Sequence, residues 1–378
     1  MTAVFWICVV LVLYVYLGYP VIVWSLSRLR PQPWTRAAGQ PTVSIILAVY
    51  NGAALLREKI DHLLTLDYPQ QLIEMLVVSD GSTDDTDTIL NSIQHPRLRT
   101  WRLAQHGGKV AALNKAIVEA RNEILLFIDI RPRLEAGALN CLVANFADPK
   151  VGAVAGELRL RSGDHDAGTK AVGGIYWRYE QWIRKSESAI DSAVGVYGGF
   201  YAVRRSLAVQ LPEGLILDDM LQPLSVIRQG YRSVLDEDAL VWDVWPKTAK
   251  GEFRRKVRTL AGNFQLVRVA PWLLKSENRV LGQFVSHKLL RLVAPVLLFL
   301  ALVSSLALAH QPLYRWLAVG QLCFYLLGIV GMRTQLPGLR QITGPAAAFC
   351  LLNAAAIAGF WQFVAKGKNL QKIWVPSE

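Results

Sequence analysis

Val43–Val49 reads VSIILAV, and after Tyr50 the pair Asn51-Gly52 breaks the run. A continuous apolar, β-branched stretch of this length, closed by a turn dipeptide, predicts a strand buried on both faces, as in a parallel sheet. Leu55 to Leu66 then carries its apolar residues at helical spacing. Leu72–Ser79 (LIEMLVVS) predicts a second strand, ending at Asp80-Gly81-Ser82, with Asp84 placed to cap the helix that follows. Glu123–Ile128 (EILLFI) predicts a third, ending on Asp129. Strands alternating with helices imply a parallel α/β sheet with right-handed crossovers, whose ligands sit at the carboxyl ends of the strands. Asp80 and Asp129 both fall there.

An isolated aspartate after a strand is ordinarily a cap or turn former. Two at equivalent strand ends, with Gly107-Gly108-Lys109 between them, point instead to a ligand. A glycine-rich turn with a lysine approaches and neutralises phosphates. The spacing is not that of a P-loop, and no G-x-G-x-x-G follows the first strand, so a dinucleotide fold is excluded.

The ends of the chain differ from its middle. Over 378 residues the hydrophobic fraction is 52% and the mean hydropathy +0.27, with the apolar excess at the two ends. Val4 to Trp24 is an almost unbroken apolar run, long enough for a bilayer, which needs about 20 residues. It has neither the basic leader nor the small-residue cleavage site of a signal peptide. Arg28, Arg30 and Arg36 follow it, so the positive-inside rule predicts an outside amino terminus and a cytosolic central domain. Three more runs, about Leu289–Leu308, Leu313–Val330 and Gly344–Val364, predict two or three further spans. The number stays open, because Lys366, Lys368 and Lys372 favour a tail on the inside.

Phe253 to Leu274 mixes basic and apolar residues as an interface-lying helix does. The formal charge of +12 clusters beside these apolar segments, which predicts contact with membrane lipids and excludes nucleic acid as a partner. Of four cysteines, Cys8, Cys323 and Cys350 lie in apolar runs, and no pair has zinc or redox spacing. The expected organisation is an amino-terminal span at 1–28, a central domain at 41–250, amphipathic interface helices at 251–285, spans within 286–365 and a basic tail at 366–378.

The central motifs resemble those of glycosyltransferase family 2, which has the GT-A fold. The likeness runs through VSIILAVYNG and VVSDGSTDDT, HGGKVAALNKAI at His106–Ile117 and FID at Phe127–Asp129. It continues through GGFYAVRR at Gly198–Arg205, ILDDM at Ile216–Met220 and RRKVRTLAGN at Arg254–Asn263. The flanking apolar runs resemble the membrane-bound bacterial branch related to polysaccharide synthases. The resemblance implies a Rossmann-like, mostly parallel catalytic sheet flanked by transmembrane helices. It also implies an inverting enzyme that moves a hexose or N-acetylhexosamine from a nucleotide-sugar, a UDP-sugar, to a lipid-linked or growing cell-surface glycan. The setting would be a bacterial inner membrane, with polysaccharide-export subunits as possible partners.

By the same resemblance, Ala48, Tyr50, Asn51 and Asp80 hold the nucleoside, Lys109 lies near the diphosphate, and Asn114 belongs to the nucleotide-sugar site. Asp129 is the first acid of the DXD motif, which binds Mg²⁺ or Mn²⁺. Gly199 and Tyr201 face the acceptor, and Asp219, with Asp218 as the alternative, is the general base. Two departures stand out. Asp129-Ile130-Arg131 lacks the second DXD acid, and Arg131 is expected either to point at the diphosphate, the preferred arrangement, or to turn towards an acid such as Glu135. Arg255-Lys256-Val257-Arg258-Thr259 lacks the tryptophan of the processive synthases' motif. Arg255 and Arg258 divide evenly between a diphosphate role and solvated charge. Tyr176, Trp177, Tyr179 and Trp182 read as core or interface anchors rather than a sugar platform. A processive synthase and a catalytically silent binding homologue are the rival readings.

Overall fold

A computed structural model describes residues 1–161, 167–244, 249–334 and 337–367. The basic tail expected at 366–378 lies almost wholly outside them. One eight-stranded sheet forms the middle of the molecule, in the order β3-β2-β1-β4-β7-β6-β8-β5. Its strands are β1 (Val43–Val49), β2 (Ile73–Ser79), β3 (Leu98–Arg102), β4 (Ile124–Ile128), β5 (Arg133–Leu134), β6 (Val151–Arg161), β7 (Phe200–Arg204) and β8 (Arg232–Val244). The three strands read from the sequence are β1, β2 and β4. They pair in parallel, with Val49 opposite Ser79 and Leu47 opposite Ile128, so their carboxyl ends are level and Asp80 and Asp129 leave from one edge.

The second half departs from a simple parallel sheet. β7 runs antiparallel to both β4 and β6, while β6 and β8 are parallel with a bulge between Gly156 and Glu157. The fold is therefore a mixed α/β sheet. β3 (LRTWR) gave no strand signal, since it has few apolar residues and stays half exposed at the sheet edge.

Each sheet face buries one apolar cluster. Leu56, Ile60, Leu139 and Leu142 cover one side. Val110, Leu113, Leu221 and Leu224 cover the other. The second side carries helices Lys109–Glu119 and Asp218–Arg228, both of which begin at the ligand edge.

Four helices are long and apolar enough to cross a membrane: Thr2–Leu29, Leu281–Ala307, Pro312–Arg333 and Ile342–Ala365. All three carboxyl-terminal runs qualify by length and composition. The first two helices each contain a π-turn, at Tyr14–Gly18 and Phe284–Leu289. Helix Ala249–Val269 fills the place expected for an interface helix, but one face docks on protein. Phe264 stacks against Phe363 at 5.9 Å and meets Phe360 edge-on at 5.4 Å. Gly359 makes this approach possible, because a side chain there would come within 3.0 Å of the Ala261 nitrogen.

Candidate active site

The ligand edge is built by turn chemistry between the first two strands. Asn51 adopts φ 49°, a conformation asparagine tolerates better than most residues. Its backbone N–H donates to Ser82 Oγ at 3.1 Å, and its side-chain oxygen accepts from Thr83 N–H at 2.8 Å. Gly52 N–H donates to Thr86 Oγ1, and Ala53 N–H to Asp84 Oδ2. The N-cap position falls to Asp85 rather than Asp84, although Asp84 accepts from Thr86 N–H at 3.1 Å. These bonds close NG onto DGSTDDT. Asn51 therefore acts within the protein in this structure, and Ala48 packs partly buried against the core beneath the turn.

Asp80 is 1% exposed. Its Oδ1 accepts from Gly107 N–H at 2.9 Å, and Oδ2 lies 2.9 Å from His106 Nδ1. His106 stacks on Tyr50 at 4.0 Å. Burial pushes the Asp80 carboxyl above its usual range, against the opposing pull of Gly107, His106 and Gly108. The carboxylate expected to meet a nucleoside thus shapes the His106-Gly107-Gly108 turn, where Gly108 takes φ +88° and launches the next helix. His106 was not singled out from the sequence, where it is only the first letter of HGGK.

Lys109, the first residue of that helix, joins the two acidic positions. Its ammonium is 3.1 Å from Asp129 Oδ1 and 3.2 Å from Asp218 Oδ2. Burial works to lower its pKa, but Asp129, Asp218 and Asp219 outweigh burial and hold it protonated. Asp218 and Asp219 open helix Asp218–Arg228, where the dipole favours acids. Burial and the neighbouring Asp218 charge raise the Asp219 carboxyl to about 7, while Lys109 and Arg258 pull the other way.

Gly198 leaves room for that carboxylate, since a side chain there would come within 2.8 Å of Asp219 Oδ2. Arg258 faces the three acids, although burial lowers its own pKa. Arg255, on the same helix, is exposed and pairs with Glu252 at 2.8 Å. The two arginines thus differ, with Arg258 facing the acids and Arg255 facing solvent.

Four of the residues expected at the site lie against other parts of the protein. Tyr201 is fully buried and stacks flat on Phe127 at 4.7 Å, so its ring packs in the core. Gly199 lies against the Tyr197 ring, with its carbonyl towards Asp129 N–H. Asn114 uses both ends of its amide on the Leu211 backbone, at 2.8 Å each. Arg131 pairs with Asp243 at 3.2 Å, whereas Glu135 accepts from the Trp242 ring N–H. Tyr197 donates to the same Asp243 oxygen at 3.2 Å. Lys59, buried below this corner, donates to the Pro132 carbonyl. Burial lowers its pKa to about 7. Asp243 and Lys59 carried no sequence signal because their partners are distant in the chain. The aromatic group behaves as read: Trp177 donates to the Leu158 carbonyl, and Tyr179 packs with Trp182 near the first membrane-length helix.

No group of three or more His, Cys, Asp or Glu side chains stands together as a metal site among the described residues. Asp129 is 44% exposed, however, against 5% for Asp218. A hard divalent ion that takes most of its oxygens from phosphate and water needs only one or two carboxylates, and Asp129 fits that demand.

Residues 44–210 match the family model described as Glycosyl transferase family 2. The chain is 25% identical over 230 residues to the poly-beta-1,6-N-acetyl-D-glucosamine synthase of Staphylococcus aureus, covering 60% of this chain and 55% of that one. The protein of the same name in Staphylococcus epidermidis gives the same identity and coverage. The chain spans about half the length of these curated relatives. A mannosyltransferase from Pyrobaculum calidifontis, solved with GDP-Man and Mn²⁺, superposes with a TM-score of 0.70 at 24% identity, covering 95% of this chain and 99% of that one. The fold is thus a GT-A glycosyltransferase fold with apolar helices attached. The matched segment, residues 44–210, is similar to family 2 glycosyltransferase domains.

Proposed function

We propose that this chain is an inverting, multi-pass membrane glycosyltransferase whose catalytic domain faces the cytosol and transfers a sugar from a nucleotide-sugar, a UDP-sugar, to a lipid-linked or growing cell-surface glycan. The observation that carries this reading is the meeting of Lys109, Asp129 and Asp218-Asp219 at one sheet edge. Lys109 and Arg258 bring positive charge to where a diphosphate would lie. Asp129 would hold Mg²⁺ or Mn²⁺, and Lys109, now paired with it, would be free to face phosphate. When bound, such an ion stabilises charge on the departing diphosphate.

Asp219 takes the proton from the acceptor hydroxyl. A carboxyl held near 7 is deprotonated in an adequate fraction at neutral pH and is more basic than an ordinary aspartate. One base opposite one leaving group favours in-line displacement, which inverts the anomeric centre. Arg131, paired with Asp243, supports the corner rather than replacing the ion.

The test is nucleotide release by the purified full chain against a panel of UDP- and GDP-sugars, with and without Mn²⁺. No release with any donor would sink the proposal. For orientation, a cysteine replacing exposed Ser92 in a chain freed of native cysteines should resist an impermeant thiol reagent in intact cells. Labelling there would reverse the topology. A second reading, a processive synthase, draws support from the name of the staphylococcal relatives. Product length on a gel separates it from single-sugar transfer, and Thr259, which has no ring to stack on a sugar where the processive motif has tryptophan, favours the latter.

A further inference from the structure

Glu187 is fully buried, at the end of helix Ala167–Ile190, where the catalytic domain meets the apolar helices. Its Oε1 accepts from the Tyr19 hydroxyl at 2.6 Å and lies 2.8 Å from His287 Nδ1. Its Oε2 accepts from the Val194 backbone N–H at 3.2 Å. Tyr19 directly follows the π-turn of the first membrane-length helix, and His287 lies inside the π-turn of the second. π-Turns in otherwise regular helices commonly accompany functional sites. The other ring nitrogen of His287 faces Glu180 at 3.1 Å, and Arg291 pairs with that same acid. A buried carboxylate joined to two helices and a backbone is costly to disturb, because its partners are otherwise unsatisfied.

The segment held by Glu187 runs directly past Asp219. Ala193 N–H is fixed to the Ser233 carbonyl on β8 at 2.9 Å, and Val196 N–H reaches the Asp219 carbonyl at 3.5 Å. A side chain at Gly195 would meet Met220 at 3.5 Å and Lys288 at 3.9 Å. Gly198 lies against the Asp219 carboxylate itself. Five residues therefore connect the Glu187 carboxylate to the wall behind the proposed base. None of these links touches the NG, DGSTDDT or HGGK turns at the donor edge.

We propose that Glu187 is a positioning residue, which ties Tyr19 and His287 on two membrane-length helices to the Val194–Gly198 wall and so sets the Asp219 carboxylate in register for proton transfer. The arrangement makes turnover depend on how the first two apolar helices sit against the domain, while donor binding does not. This inference rests on the reading of Asp219 as the base.

The test uses the full chain in detergent or nanodiscs, with the donor found active in the nucleotide panel. Glu187→Gln keeps the shape and removes the charge, and Tyr19→Phe removes one donor and keeps the ring. A misplaced catalytic group costs up to about 100-fold in rate. The expected result is a kcat about 10- to 100-fold lower in Glu187→Gln and several-fold lower in Tyr19→Phe, with donor KM within about twofold of wild type in both. Wild-type kcat in both variants overturns the inference. So does a donor KM that rises in step with the loss of kcat, which would mark a general structural role. If Glu187→Gln fails to fold, Tyr19→Phe decides alone. A wild-type chain that releases nucleotide from no donor overturns the proposed function and this inference with it, whereas an active wild type with fully active variants overturns the positioning role only.

Discussion

Two parts of the ligand edge, the donor edge of turns around Asp80 and the acceptor edge around the proposed base Asp219, are assembled by different means. At the donor edge, Asn51, Gly52 and Ala53 are bonded to Ser82, Thr83, Asp84 and Thr86 across about 30 positions of chain, and Asp80 is bonded to His106 and Gly107 across a similar gap. These are short polar side chains doing turn and cap chemistry at the ends of neighbouring parallel strands. At the acceptor edge, Asp219 is surrounded by Lys109 and Arg258 from other helices and by a wall whose support comes from Tyr19 and His287. The donor edge is a set of turns tied together by short polar side chains. The acceptor edge is a charge cluster whose geometry depends on elements far apart in the chain.

The comparison predicts that disabling the acceptor edge stops chemistry and leaves donor binding. Asp219→Asn removes the base without opening a cavity and should lower transfer by about 10²–10⁴, with nucleotide-sugar affinity nearly unchanged by calorimetry. If the variant turned over at the wild-type rate, Asp218 would take the role of base. The wild-type pH profile carries the same signature. A base must be deprotonated, so a carboxyl raised to about 7 makes kcat fall as pH drops through about 7 and level off above it. An ordinary aspartate limb near pH 4 would contradict the geometry.

Lys109 stands where the two edges meet, so its removal should affect both. Lys109→Met leaves Asp218 buried without its ammonium, and breaking such a pair typically costs about 3–5 kcal/mol. Thermal unfolding of the purified chain should register the loss. Because Lys109 holds the Asp219 pKa down, the base limb of the pH profile should also move upward in this variant. An unmoved limb in a folded Lys109→Met protein would separate the two carboxylates from the lysine electrostatically.

The smallest expected effect tests the donor edge alone. Asp80→Ala removes a charge-assisted bond to Gly107 N–H and loosens the turn before Lys109, a change of about 1.5–3 kcal/mol. Donor affinity should fall by roughly ten- to a hundredfold on that scale, with kcat at saturating donor much less affected. A loss confined to kcat would mean that the two edges are not independent.

How much of this was legible beforehand follows from where each residue finds its partners. β1, β2 and β4 are continuous apolar runs with turn residues behind them, so their burial, their parallel pairing and the exit points of Asp80 and Asp129 could be read directly. β3, with its mixed LRTWR, and the antiparallel β7 gave no comparable signal, because edge exposure and sheet direction depend on neighbours rather than on local pattern. A motif identifies a residue without fixing where its side chain goes. Tyr201 belongs to GGFYAVRR yet stacks on Phe127 in the core, Asn114 braces Leu211, and Arg131 turns to Asp243.

The sequence by itself determined the α/β class, the level strand ends with their two aspartates, the apolar helices at both termini and the acidic pair at a helix start. Those features depend on periodicity, turn chemistry and run length, which are properties of contiguous residues. Only the tertiary structure decided that Lys109 bridges Asp129 and Asp218, that Arg258 rather than Arg255 faces the acids, and that Glu187 joins two apolar helices to the wall beside Asp219. These contacts join residues from 20 to 168 positions apart in the chain, and no local pattern records which of many similar side chains the fold will bring together.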